Sequence, residues 1–134
     1  MKKLSGSCLC GVVAFDIENT FENFQLCHCT QCQKTTGSAH ASNLFTDPKN
    51  ITWQTGVDSI ARFDQDGRAI SNAFCNQCGS RVPYISLSGE VLVVPAGVLD
   101  GEPSISVQGN IFWPERAPWY DKALAAKAFD AFIE

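Results

Sequence analysis

The sequence predicts a mainly β fold, and three observations carry that expectation. Short alternating or apolar runs recur along the chain, each bounded by Gly, Asp or Asn. Only one stretch, at the C-terminal end, has apolar residues near helical spacing. Asp66-Gly67 and Ser88-Gly89 put hairpin-turn chemistry between strand-like runs.

Taken in order, strands are expected over residues 12–17, which follow a glycine, and 24–29, which run into a cysteine group. Further strands are expected over 51–55, 59–63, 69–74 and 82–87. Residues 91–94 are continuously apolar, as in a strand buried on both faces. Residues 105–107 and 111–113 complete the set. Asp66-Gly67 and Ser88-Gly89 each lie between strand-like runs and read as hairpin turns. Over 122–133, Leu124, Ala128, Phe129, Phe132 and Ile133 give a helical stripe, with Asp121 placed to cap it. No repeat or linker interrupts the 134 residues, so residues 1–134 are expected to form a single domain.

Composition excludes several functions. Hydrophobic residues make up 45% and charged residues 18%, the balance of a folded chain. The net charge is -4 and the ten Lys and Arg are scattered, which leaves no basic stripe for nucleic acid. No apolar run approaches the ~18 residues of a membrane span, and the first residues lack the apolar core of a secretory signal. A cytoplasmic, reducing location is the expectation, and there grouped cysteines serve as metal ligands more often than as disulfides.

The groups are Cys8-x-Cys10, Cys27-x-Cys29-x-x-Cys32 and Cys75-x-x-Cys78. An odd count argues against a disulfide framework. In an extended Cys-x-Cys both sulfurs point to one side and can share an ion. In Cys-x-x-Cys the chain bends around the metal, and Gly11 and Gly79, just after Cys10 and Cys78, suit that bend. Two such pairs make a closed four-thiolate structural zinc from Cys8, Cys10, Cys75 and Cys78. Cys27, Cys29 and Cys32 would then hold a second zinc with an open position, the arrangement a reacting ligand requires. A rival partition joins Cys29 and Cys32 to Cys75 and Cys78 as a zinc ribbon. A third reading leaves residues 27–32 with three buried thiols.

Three segments together resemble the glutathione-dependent formaldehyde-activating enzyme family. They are Gly6-Ser7-Cys8-Leu9-Cys10-Gly11, then Cys27-His28-Cys29-Thr30-Gln31-Cys32-Gln33-Lys34 with Thr36-Gly37-Ser38, and Phe74-Cys75-Asn76-Gln77-Cys78-Gly79-Ser80. Gly97-Val98-Leu99-Asp100, Ile111-Phe112 and Ala117-Pro118-Trp119 resemble later family segments. The resemblance covers residues 5–120. It implies an Mss4-like β-tent of several small antiparallel sheets. It also implies two zinc ions per chain, on the two cysteine sets above, and glutathione as the thiol substrate. The implied activity is that of a carbon–sulfur lyase acting on a glutathione adduct of a small aldehyde. The chain departs from the pattern at Gly109-Asn110, where many relatives carry a histidine, and in its tail from Lys122.

A zinc on three thiolates is electron-rich and suits a soft fourth ligand, which it would bind as the thiolate. Candidate substrate-binding residues are His28, Lys34, Ser38 and Arg81. Lys34 could meet a carboxylate or simply be solvated. His28, between two ligands, should point away from them and act as a structural or supporting group. Arg81 could hold an anion or stay at the surface. His40 and the tryptophans Trp53, Trp113 and Trp119 read as packing residues. A non-catalytic zinc-stabilised binding module of the same fold is the alternative function. Methionine sulfoxide reduction, which needs a reactive cysteine beyond Cys78, is excluded because none follows.

Overall fold

A computed structural model describes residues 2–134. The described residues form ten strands and two short α-helices. β1 (Lys3–Ser7), β2 (Ala14–Glu18) and β5 (Ile51–Thr55) make an antiparallel sheet with β2 in the middle. β2 shows why it is central. Phe15 and Ile17 are buried while Ala14, Asp16 and Glu18 face the other side, the period of two that a one-sided strand requires. β6 (Ile60–Asp64) and β7 (Ser71–Cys75) form a separate hairpin closed by Asp66-Gly67, with Gly67 in the left-handed conformation that the turn needs.

The largest sheet runs β10 (Gly109–Ile111), β3 (Asn23–Cys27), β4 (Ala41–Thr46), β9 (Leu92–Pro95) and β8 (Tyr84–Ile85). Leu92, Val93 and Val94 are all buried, as expected of an apolar run covered on both faces. The sheet is not wholly antiparallel. β10 lies parallel to β3, with Ile111 opposite Cys27, so the late chain returns to the end of an early strand. Three small sheets and short helices give the mainly β architecture expected from the sequence.

Several boundaries differ from expectation for physical reasons. β1 and β4 carry no apolar alternation, and both are nonetheless paired strands. In β4 the buried set includes Asn43 and Thr46, so polar residues hide a central strand. Residues 105–107 form no strand, and the last strand is shifted to Gly109–Ile111. The C-terminal helix, α2, starts earlier and is much shorter than the periodicity suggested, spanning Tyr120–Leu124. Leu124, Phe132 and Ile133 are 71%, 86% and 85% exposed, so the stripe has nothing to bury against. A short amphipathic segment without tertiary packing is not stable as a helix.

The interior divides into three clusters. Phe15, Ile17, Phe21, Leu44, Leu92 and Val94 fill the space between the two larger sheets. Cys8 and Cys75 join Val13, Ala73, Val82, Tyr84 and Val93 in a second. Cys27, Cys29 and Cys32 form the third with Ala41, flanked by Ile70 and Ile111. Both cysteine sets are therefore part of the packing. Among the described residues no helix is long and apolar enough to cross a membrane.

Candidate metal centres

The first centre joins the end of β1 to the end of β7. Cys8 follows β1, and the chain reverses at Gly11, which has φ +82° and donates its N–H to the Cys8 carbonyl. Cys75 ends β7, and Gly79, φ +79°, donates to the Cys75 carbonyl in the same way. Backbone N–H groups of Val13 and Gln77 point at the sulfurs of Cys8 and Cys75, at 3.3 and 3.4 Å. The Sγ atoms of Cys8, Cys10, Cys75 and Cys78 all lie within 4.8 Å of one another. Cys8 to Cys10 is 3.6 Å and Cys10 to Cys75 is 3.8 Å. A disulfide would need about 2.05 Å. The edge of a zinc tetrahedron with ~2.3 Å bonds is ~3.8 Å, so the donor set fits that ion. Hydrogen bonding with Ser80 pulls the Cys78 thiol down to about 5, toward the thiolate a metal needs.

The second centre is built where β3 meets α1 (Thr30–Thr36). Cys27 ends β3. Cys29 is the extended N-cap of α1, and its sulfur accepts the Cys32 N–H at 3.3 Å. The helix turn then brings Cys32 under the other two. A helix was not expected here; the capping sulfur is what starts it, a role ordinarily filled by Ser or Asp. Gly37, φ +63°, stops the helix by donating to the Gln33 carbonyl. The three sulfurs lie within 4.8 Å of one another, and all three residues are buried. A hydrogen bond from Cys32 pulls the Cys27 thiol down to about 6, and the same bond, with burial, pushes Cys32 up. The set offers three soft donors to one ion. Cys29 and Cys32 stand apart from the group around Cys75 and Cys78.

One face of this centre is open. A cavity of about 300 Å³ lies against Cys29, bounded by Gln31, Gly67, Arg68, Ala69, Ile70 and Phe112. Phe112 has φ 53° and ψ 40°, a left-handed backbone that a bulky residue adopts at a cost. Arg68 reaches over from the β6–β7 turn, with Nη2 3.8 Å from Cys29 Sγ and Nε donating to Gln31 Oε1 at 2.9 Å. Sequence reading missed Arg68, Gln31 and Phe112 as site residues. No spacing rule links Arg68 to Cys29, and only the Asp66-Gly67 turn beside it hinted at a projecting loop.

The expected substrate residues are placed differently from one another. His28 is fully buried and its ring meets His40, Trp113 and Tyr120 at centroid distances of 5.0, 5.0 and 4.9 Å. Its Nε2 bonds Asn110 Oδ1 at 2.9 Å, and its Nδ1 is buried without a partner. An amide oxygen only accepts, which assigns the ring proton to Nε2. Asn110 is thus the residue that orients the ring behind the cysteines. Lys34 is exposed in the last turn of α1. Ser38 is exposed past Gly37, with its N–H donating to Thr36 Oγ1 at 3.2 Å. Arg81 is held on β7 by Asn72 Oδ1 at 2.8 Å and the Ser71 carbonyl at 3.2 Å. None of Lys34, Ser38 and Arg81 borders the cavity over Cys29.

Comparison with known proteins bears on the fold and the family. The chain has a fold similar to that of a Rhodobacter sphaeroides protein of known crystal structure, with a TM-score of 0.62 at 21% identity. That similarity covers 79% of this chain and 98% of the other. A comparison with curated proteins found no match. The family model described as "Glutathione-dependent formaldehyde-activating enzyme" matches residues 3–115, a span that holds all seven cysteines, Arg68 and Phe112. By that match the chain belongs to the glutathione-dependent formaldehyde-activating enzyme family.

Proposed function

We propose that the protein is a zinc-dependent carbon–sulfur lyase. Its substrate would be a glutathione adduct, or a similar thiol adduct, of a small aldehyde. One observation carries the reading: three buried, converging cysteine sulfurs with a cavity open against one of them. A structural site needs four donors, whereas three donors and a cavity suit a ligand that arrives and leaves. The residues of Cys8, Cys10, Cys75 and Cys78 would hold a structural zinc, and Cys27, Cys29 and Cys32 a second one. When bound, the second ion would supply an open coordination position at which a thiol is deprotonated.

The chain's own residues prepare this step. Burial of the three cysteines excludes water from one side of the centre. Ala69, Ile70 and Phe112 give the cavity apolar walls suited to a carbon–sulfur adduct, and Arg68 sets one cation at its rim. In the synthetic direction the thiolate sulfur forms a bond to the aldehyde carbon, and the carbonyl electron pair moves to oxygen and takes up a proton. In the reverse direction the carbon–sulfur bond breaks, with aldehyde and thiol released. Membership in the family supports glutathione as the thiol.

The test is cobalt-loaded protein titrated with glutathione and with S-methylglutathione. Glutathione is expected to raise the sulfur-to-metal charge-transfer bands and release about one proton, and the methylated analogue to bind far more weakly. Equal binding of both, or no spectral change, would sink the reading in favour of a non-catalytic module.

A further inference from the structure

Among the described residues Arg68 is the one cation lining the open face of the three-cysteine centre, and its position is built. Gln31, in the first turn of α1, accepts from Arg68 Nε at 2.9 Å and donates from Nε2 to the Ile70 carbonyl at 2.9 Å. This amide ties the helix to the start of β7 and fixes the guanidinium plane. The ion pairs among the described residues are Arg62–Asp64 and Arg116–Asp121, neither of which includes Arg68. Glu115, the carboxylate that reaches α1, is occupied by the Thr30 N–H and hydroxyl. Among the described residues, the guanidinium thus faces Cys29 and the cavity without a carboxylate paired to its charge.

We propose that Arg68 is a positioning residue that supplies counter-charge, so that the open face accepts an anionic sulfur in preference to a neutral ligand. The proposal rests on the thiol-binding reading above. Three thiolates and a divalent ion carry a net charge of about -1, and a fourth thiolate takes it to about -2. A guanidinium beside Cys29 returns the assembly to about -1. Its reach decides which part of the ligand it serves. Nη2 lies 3.8 Å from the Sγ of Cys29, beside the place where a fourth sulfur would join the set, whereas the carboxylates of glutathione sit several bonds beyond its own sulfur. The charge therefore acts on sulfur. Because Arg68 is exposed, solvent limits the effect to about tenfold in affinity.

The experiment compares wild-type, Arg68→Gln and Arg68→Lys proteins, each metal-loaded, with three probes: glutathione, 2-mercaptoethanol and imidazole. Affinities come from calorimetry and from the bands of the cobalt form. Arg68→Gln should weaken both thiols about tenfold, leave imidazole unchanged, and keep the same metal content; Arg68→Lys should recover much of the loss. Unchanged thiol binding in Arg68→Gln overturns the proposal. Loss confined to glutathione also overturns it, because the guanidinium would then hold a carboxylate. Equal loss for imidazole assigns Arg68 a structural role and overturns it too. If Arg68→Gln sheds metal, Gln31→Leu decides, since it frees the guanidinium but keeps the charge: a partial, thiol-only loss supports the proposal, and no loss removes it. Failure of the wild type to bind either thiol would instead count against the lyase reading itself.

Discussion

Asn110 and Phe112 each shape the surroundings of this centre. Asn110 is the hydrogen-bond partner of His28, a fully buried ring wedged between two candidate ligands in the chain. Asn110→Ala leaves that donor unsatisfied, so folding stability should fall by about 1–3 kcal/mol, measured by urea denaturation. A loss below a few tenths would mean the ring is held by its aromatic neighbours alone. Phe112 sets the opposite rim in a left-handed conformation that costs an L-residue about 1–2 kcal/mol. Phe112→Gly removes that strain and the cavity wall together. The variant should unfold at no lower temperature than the parent while binding glutathione several-fold more weakly. His40, pressed on His28 and half-buried, is held below the ordinary histidine value by burial and by the neighbouring ring. The Gly109-Asn110 departure from the family pattern, visible in the sequence, gains its meaning only here, because nothing in spacing alone joins residue 110 to residue 28.

At the scale of elements, turns do as much as strands. Gly56 (φ +84°) and Gly67 (φ +74°) both need the left-handed region, but an added Cβ at Gly56 would run into the Val12 backbone, while at Gly67 it meets open space. Gly67→Ala should therefore cost only the conformational term, about 1 kcal/mol. Gly56→Ala should cost at least about 2 kcal/mol more, because backbone must move. Comparable thermal shifts for the two variants would show that the β5 exit is softer than its packing implies. What could be read in advance follows the same division. Ile51–Thr55 matches expectation at both ends, and the Asp66-Gly67 hairpin is where the turn chemistry placed it. β4 was invisible because a buried Asn43 and Thr46 mimic a loop, and α1 because a cysteine sulfur replaces the usual cap. The cysteine groups were legible because metal spacing is a local rule. The cavity beside them was not, since Arg68 and Phe112 arrive from distant parts of the chain.

For the whole molecule, the two centres should differ in what their loss does. Cys8 and Cys75 sit inside a core cluster with Val13, Val82 and Tyr84, and their group closes the chain from β1 to β7. Cys78→Ser should lower the melting temperature sharply and leave little folded protein, as breaking a structural zinc site removes folding energy on the order of 10 kcal/mol. Cys29→Ser should remain folded, because serine is itself a good helix cap for α1, and should retain one tightly held metal per chain. Equal thermal losses in the two variants would defeat the division into structural and reactive centres. The parallel pairing of Ile111 with Cys27 sets a further condition, one of timing. During synthesis Cys27, Cys29 and Cys32 emerge well before β10 and Phe112, which lie on one side of them. During that interval three neighbouring thiols stand open to oxidants and to any thiophilic ion. The three-sulfur donor set is thus complete in the chain before the strand that flanks it has docked, and an ion can reach it from the side that Ile111 later closes.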